Sequence, residues 1–351
     1  MSALQDIVGS AVATDIVPGA AALVSRGDDV EVASAGDFES DSIARIASIS
    51  KPITAAAVML LVDDGLVSLD DPIARWVPEL AEPKVVRTPR STIDDVVPAA
   101  RPITVENVLT FRAGWGFPSD FALPAVLELF QRLPVFGPRL TPDEWVATLA
   151  GVPLLRQPGE AWLYNTCSDL QGVLVARVAG RPLPEFLAER LFDPLGMTDT
   201  GFHVPAEQLD RLPAYRAGQP PVVDATLWTV PPVFPSGAGG LVSTLADWHR
   251  FGRMLLADGG GVLSRQAVRL MTTDHLTREQ RGASTLFLEG DGWGFGGSVA
   301  SDGRYGWVGG TGTTAHVRQS TGTVGILFTQ VQMTGPTPTP LMREFWRYAF
   351  G

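Results

Sequence analysis

Lysine is nearly missing from this chain of 351 residues: Lys51 and Lys84 are the only two, and every other basic side chain is arginine. Arginine stays charged in proteins, whereas a desolvated lysine can lose its proton, so a lysine at the start of an apolar stretch carries chemical information. Cysteine is rarer still. The single Cys167 excludes an internal disulfide. Four scattered histidines, His203, His249, His275 and His316, lack metal-ligand spacing, which disfavours a metal-dependent hydrolase and calls for no cofactor. No basic run interrupts the net charge of −11, which argues against a nucleic-acid surface. Apolar runs fall short of the roughly 20 residues that span a bilayer. The opening stretch MSALQDIVGSAVATDIV contains Asp6 and Asp15 and has no basic start, so it does not read as an export signal. The expectation is a cytoplasmic protein that acts on a small molecule, with neither nucleic acid nor membrane as partner.

What is present centres on residues 45–62, RIASISKPITAAAVMLLV. Ser48 and Lys51 are three apart and share one face if the segment is helical. A serine hydroxyl needs a base to attack near neutral pH, and a buried neutral lysine can be that base. S-x-x-K is a weak pattern alone, and a bias toward arginine could have left Lys51 there by accident.

The 45% hydrophobic content suffices for one large domain or two packed ones. Residues 3–13 read as a helix, GAAALVS and VEVASAG as a hairpin, and residues 50–64 as a buried helix. Helical patterns recur at 122–133, 141–150, 168–179, 184–191 and 245–257, and Thr104, Ser243 and Thr244 are candidate caps. Residues 205–235 read as an irregular, proline-rich crossing. The last hundred residues are short β-rich runs closed by a helix at LMREFWRYAF. Strands near both termini with helices between suggest an α/β part built from the chain ends and an inserted helical part.

Two further stretches bear on chemistry. Tyr164, in AWLYNTCSDLQGVL, precedes a helix and is either a phenol able to share a proton with an amine or a buried core tyrosine. Cys167 reads as a small buried side chain. GWVGGTGTT at 306–314 offers backbone N–H groups to an oxyanion, or is simply a glycine-rich bend. RAGWGFPSDF at 112–121 shapes an apolar pocket or packs on the core.

The early S-x-x-K, a tyrosine before a mid-chain helix and a W-x-G-G strand, in that order, resemble the serine β-lactamase and penicillin-binding-protein superfamily. The chain is most similar to its class C β-lactamase-like esterase branch, the family VIII carboxylesterases. RIASISKPITAAAVMLLVDDGLVSLDDPI, ITVENVLTFRAGWG, WLYNTCSDLQGVL, LFDPLGMTDTGF, GAGGLVSTLADWHRFGRMLL and GWVGGTGTTAHV carry the likeness. The resemblance implies a β-lactamase-like α/β fold, a central antiparallel sheet flanked by helices, with residues 1–72 and 230–351 in one domain and a mainly helical insert at 73–229. It implies Ser48 as nucleophile, Lys51 as base, Tyr164 as proton relay, and the N–H groups of Ser48 and Gly310 as an oxyanion hole.

Thr166 and Trp307 stand where the lactamases carry a polar Asn and a Lys or His, which should weaken recognition of an anionic β-lactam. Trp307, Gly309, Thr166, Trp115, Phe117, Trp228 and Phe295 are the expected substrate-binding residues, the aromatics lining an apolar acyl pocket or serving as core. The expected activity is cleavage of carboxylic esters through an acyl-Ser48 intermediate. A β-lactamase or D,D-peptidase, an acyltransferase, and a non-catalytic binding protein are the alternatives.

Overall fold

The structure, a computed structural model, describes residues 2–134, 140–216 and 228–351. A seven-stranded antiparallel sheet forms its centre. β1 (Gly19–Arg26) and β2 (Asp29–Gly36) make a tight hairpin, which Gly27 permits by adopting a φ of +60°. The other five strands come from the far end of the chain: β3 (Gly292–Trp293), β4 (Ser298–Val299), β5 (Arg304–Gly309), β6 (Thr313–Arg318) and β7 (Thr323–Phe328). Their spatial order is β2-β1-β7-β6-β5-β4-β3. The two ends meet where β1 pairs with β7, Ala21 opposite Phe328 and Arg26 opposite Thr323. Both strands are covered on two faces, so GAAALVS and TVGILF are continuous apolar runs instead of alternating ones.

Helices supply that cover. α1 (Ala3–Ala13) starts at Ser2, whose side chain accepts from the Gln5 N–H, and packs on the β1-β2 hairpin. α2 (Lys51–Asp63) is buried from Lys51 to Leu61, as its unpatterned apolar sequence requires, and lies against α3 (Thr166–Ala179). α4 (Leu245–Leu256) begins at Thr244, which accepts from the Asp247 N–H. α4 and α5 (Pro340–Phe350) sit on opposite faces of β7: Gly252 of α4 approaches Val324, and Phe350 of α5 approaches Gly325.

The remaining expected helices appear as Val105–Leu109 with a Thr104–Asn107 capping box, Pro124–Arg132, Pro142–Ala150 and Leu183–Leu187. Arg265–Met271, Arg278–Ala283 and Thr285–Leu288 are short helices that periodicity did not announce. Of the expected irregular crossing at 205–235, residues 217–227 lie outside the described residues. Among the described residues no helix is long and apolar enough to cross a membrane.

Candidate active site

Ser48 lies in a single 3-10 turn, Ala47–Ser50, that runs directly into α2 at Lys51. The turn is entered through Ala47 at φ +47°, an unfavourable conformation for a residue with a Cβ. The Lys51 Nζ donates to Ser48 Oγ at 2.9 Å and to the Ala238 carbonyl at 2.6 Å, and the side chain is fully buried. Burial pushes the Lys51 amine down to about 7, with the Asp169 carboxylate pulling the other way. An unprotonated amine is therefore accessible near neutral pH, beside the serine oxygen.

Tyr164 is placed by an equally unusual stretch of backbone. Asn165 has φ 81° and ψ −66°, a γ-turn closed by the Thr166 N–H on the Tyr164 carbonyl at 3.2 Å, and α3 starts immediately after it. Tyr164 also exchanges two main-chain hydrogen bonds with Phe117, at 2.9 and 3.0 Å. Its ring centroid is 4.7 Å from the Lys51 Nζ, and its hydroxyl accepts from Trp307 Nε1 at 2.7 Å. Burial raises the phenol to about 12, with Ser48 and Trp307 moderating the rise. Near neutral pH the phenol thus keeps its proton, while the amine can give its own up.

Asp169 is the residue that sequence reasoning missed. It projects from the first turn of α3, accepts from Ser236 Oγ at 2.6 Å and from the Ala238 N–H at 3.0 Å, and feels the charge of Lys51. Burial raises its carboxyl above the usual range while these donors and Lys51 oppose the rise. The available signal was a lone acid in the otherwise uncharged run TCSDLQGVLV.

The end of β5 packs against the Ser48 turn. Gly309 lies so near the turn that an added Cβ would come within 2.5 Å of the Ile46 carbonyl and 2.2 Å of Thr313 Oγ1. Gly310 follows at the β5-β6 bend, where its carbonyl accepts from the Met333 N–H at 2.8 Å.

The expected pocket residues divide. Trp307 and Phe117 surround Tyr164, with ring centroids at 5.6 and 6.3 Å, and Phe287 joins them at 4.8 Å. Phe117 continues outward to Phe130 at 4.6 Å and Phe121 at 6.2 Å, the latter partly exposed. Thr166 is buried as the first residue of α3. The other three side chains have core partners. Trp115 donates to the Val152 carbonyl at 2.8 Å, and Phe295 stacks on His275 at 4.6 Å. Trp228 belongs to a separate buried cluster with Ile43, Val204 and Val242, under the Arg45 guanidinium. Cys167 is buried, and that apolar setting pushes its thiol up to about 12. Among the described residues no cluster of three or more His, Cys, Asp or Glu could hold a metal ion.

The family model described as Beta-lactamase matches residues 4–343. The chain belongs to the Beta-lactamase family. An uncharacterized protein of Mycobacterium tuberculosis is 41% identical over 284 residues, covering 76% of this chain and 68% of that protein. Lovastatin esterase of Penicillium rubens is 34% identical over 250 residues, 68% of this chain and 61% of its own length. Esterase EstB of Burkholderia gladioli is 31% identical over 280 residues, 73% of this chain and 66% of its own. Among solved structures, EstCE1, described as a hydrolase with promiscuous acyltransferase activity, superposes with a TM-score of 0.81 at 21% identity, over 99% of this chain and 97% of that one. The fold is thus β-lactamase-like, with its central antiparallel sheet flanked by helices.

Proposed function

We propose that the protein is a serine hydrolase of the carboxylesterase type, acting on small-molecule esters. The observation that carries this reading is the 2.9 Å hydrogen bond between Ser48 Oγ and a buried Lys51 amine whose proton affinity has fallen to about 7. In the first step Ser48 Oγ bonds to the ester carbonyl carbon and its proton passes to Lys51 Nζ. The carbonyl oxygen becomes an oxyanion facing the N–H groups of Ser48 and Gly310. The tetrahedral intermediate expels the alkoxide, which takes a proton from the Tyr164 hydroxyl, and Lys51 returns a proton to Tyr164. Water then attacks acyl-Ser48, gives a proton to Lys51, and releases the acid with Ser48 reprotonated.

The choice of ester over β-lactam is supported by the surroundings of Tyr164. An indole, Trp307, stands where the lactamases carry a Lys or His, and Phe117, Phe287, Phe130 and Phe121 extend an aromatic wall away from it. Such a wall favours apolar acyl or alcohol groups over a carboxylate. On this reading, residues 1–72 and 230–351 form the domain that carries Ser48, Lys51 and Gly310, and residues 73–229 the one that carries Tyr164 and Asp169.

Purified wild type and Ser48→Ala, assayed with p-nitrophenyl butyrate, test the proposal. Loss of the nucleophile should lower the rate by about 10⁴ or more. Equal rates end it. Transfer to an added alcohol is the second reading, favoured by the likeness to acyltransferase calJ of Penicillium decumbens, 27% identical over 361 residues, 91% of this chain. Product analysis with and without methanol separates the two.

A further inference from the structure

Ala47 is held at φ +47° one residue before Ser48, and such a conformation persists only where its surroundings over-determine it. Ser50 Oγ donates to the Ala47 carbonyl at 2.7 Å and the Ile46 N–H donates to the Leu241 carbonyl at 3.1 Å, while three fully or nearly fully buried polar side chains, Thr311, Thr313 and Gln330, hold the two residues before Ala47. Thr311 Oγ1 donates to the Arg45 carbonyl at 2.6 Å, and Thr313 Oγ1 donates to the Ile46 carbonyl at 2.9 Å. Gln330 acts as a short piece of strand: its Oε1 accepts from the Arg45 N–H at 2.9 Å and its Nε2 donates to the Arg45 carbonyl at 3.0 Å. Gln330 itself sits at φ +51° just beyond β7, so its side chain is aimed by a second strained residue.

The sequence position of these groups gives them meaning. Thr311 lies in the β5-β6 bend directly after Gly310 and Thr313 opens β6, while Arg45 and Ile46 directly precede the Ala47–Ser50 turn. The two threonine bonds therefore tie the segment bearing one proposed oxyanion donor to the segment bearing the other. A hydroxyl that only filled core space would need one partner anywhere; here the two hydroxyls take the successive carbonyls of Arg45 and Ile46, which lead into the Ser48 turn.

We propose that Thr311, Thr313 and Gln330 are positioning residues that fix the separation of the Ser48 and Gly310 N–H groups. The proposal rests on the ester-hydrolase reading of the same site. None of the three acts on substrate directly. Their effect is on an oxyanion hole whose donors act only when correctly spaced, so an ångström of slack weakens transition-state binding far more than ground-state binding.

The test compares Thr313→Val, Thr311→Val and Thr313→Ser with wild type, using p-nitrophenyl butyrate kinetics, inhibition by a trifluoromethyl ketone and thermal melting. The expected result for each valine variant is a kcat lower by about 10²-fold with KM within about threefold. The ketone should bind more weakly by the factor lost in kcat/KM. Thr313→Ser, which keeps the hydroxyl, should recover to within about threefold of wild type. Valine variants that melt as cooperatively as wild type and retain its kcat overturn the proposal, as does a kcat loss unaccompanied by weaker ketone binding. If Thr313→Val does not fold, Thr311→Val and Thr313→Ser decide alone. Ser48→Ala run alongside keeps the two readings apart: ester turnover that survives it refutes the hydrolase assignment, whereas turnover lost there but intact in the threonine variants refutes only the positioning role.

Discussion

Lys51 and Asp169 are joined through both ends of one residue. The Ala238 N–H donates to the Asp169 carboxylate at 3.0 Å, and the Ala238 carbonyl accepts from Lys51 Nζ at 2.6 Å. The carboxylate is thus near enough to favour the protonated amine without pairing with it directly, and it also fixes the carbonyl that orients the amine.

That relationship predicts a displaced pH profile in Asp169→Asn. Removing the anion removes the influence that raises the Lys51 amine, so the acid limb of kcat/KM should move to lower pH. Asn can still accept from Ser236 and Ala238, so the fold should hold. An acid limb that stays put or moves upward contradicts the coupling.

Wild type should show a complementary pair of pH effects. The amine must be unprotonated to act as base, so kcat/KM should rise with pH through about 7. For stability, the folded state holds its lysine proton less tightly than the unfolded chain, about 7 against 10.5. Between those values the unfolded chain binds more protons, so this residue makes stability increase as pH rises across that window. Lys51→Met should be inactive, more stable than wild type at pH 6, and lose that advantage toward pH 10; urea titrations at the two pH values measure it.

Trp307→Phe should separate the indole's hydrogen bond from its bulk. The Nε1–H on the Tyr164 oxygen at 2.7 Å favours charge on that oxygen, so its loss should raise the phenol further and lower kcat about tenfold. KM should change little, because an aromatic ring still stands beside Tyr164. A tenfold rise in KM with kcat unchanged would assign Trp307 to substrate binding alone.

Gly309→Ala should be among the most damaging single-methyl changes in the protein. The new Cβ meets the Ile46 carbonyl and Thr313 Oγ1, both of which hold the turn before Ser48. Overpacking of this kind costs about 1–3 kcal/mol. Melting temperature and kcat should fall together, whereas Gly335→Ala, which meets nothing within 4 Å, should leave both unaltered.

The neighbourhood of Ser48 and Lys51 was legible because it is tied to local spacing and to a scarce residue type, whereas Tyr164, more than a hundred residues away, stood out only through the family resemblance. The strands of both chain ends were legible as short β-rich runs with turn residues between. Asp169 escaped because an acid in the first turn of a helix is ordinarily a favourable surface residue near the helix dipole. Its burial depends on Ser236 and Ala238, nearly seventy residues away. Trp115, Trp228 and Phe295 stayed open between pocket and core in the sequence, because composition cannot distinguish an aromatic facing a cleft from one facing Val152, Arg45 or His275. Thr311, Thr313 and Gln330 look like ordinary turn and strand residues until the fold brings their side chains to the main chain of Arg45 and Ile46.

The β1-β7 pairing has a consequence for how the protein is made. On the ribosome the N-terminal hairpin appears first, and its inner edge waits for a partner strand translated some three hundred residues later. Through that interval an apolar ribbon is exposed to strand addition by any nascent neighbour. Biogenesis should accordingly lean on holdase chaperones that shield that edge until its partner strand is made.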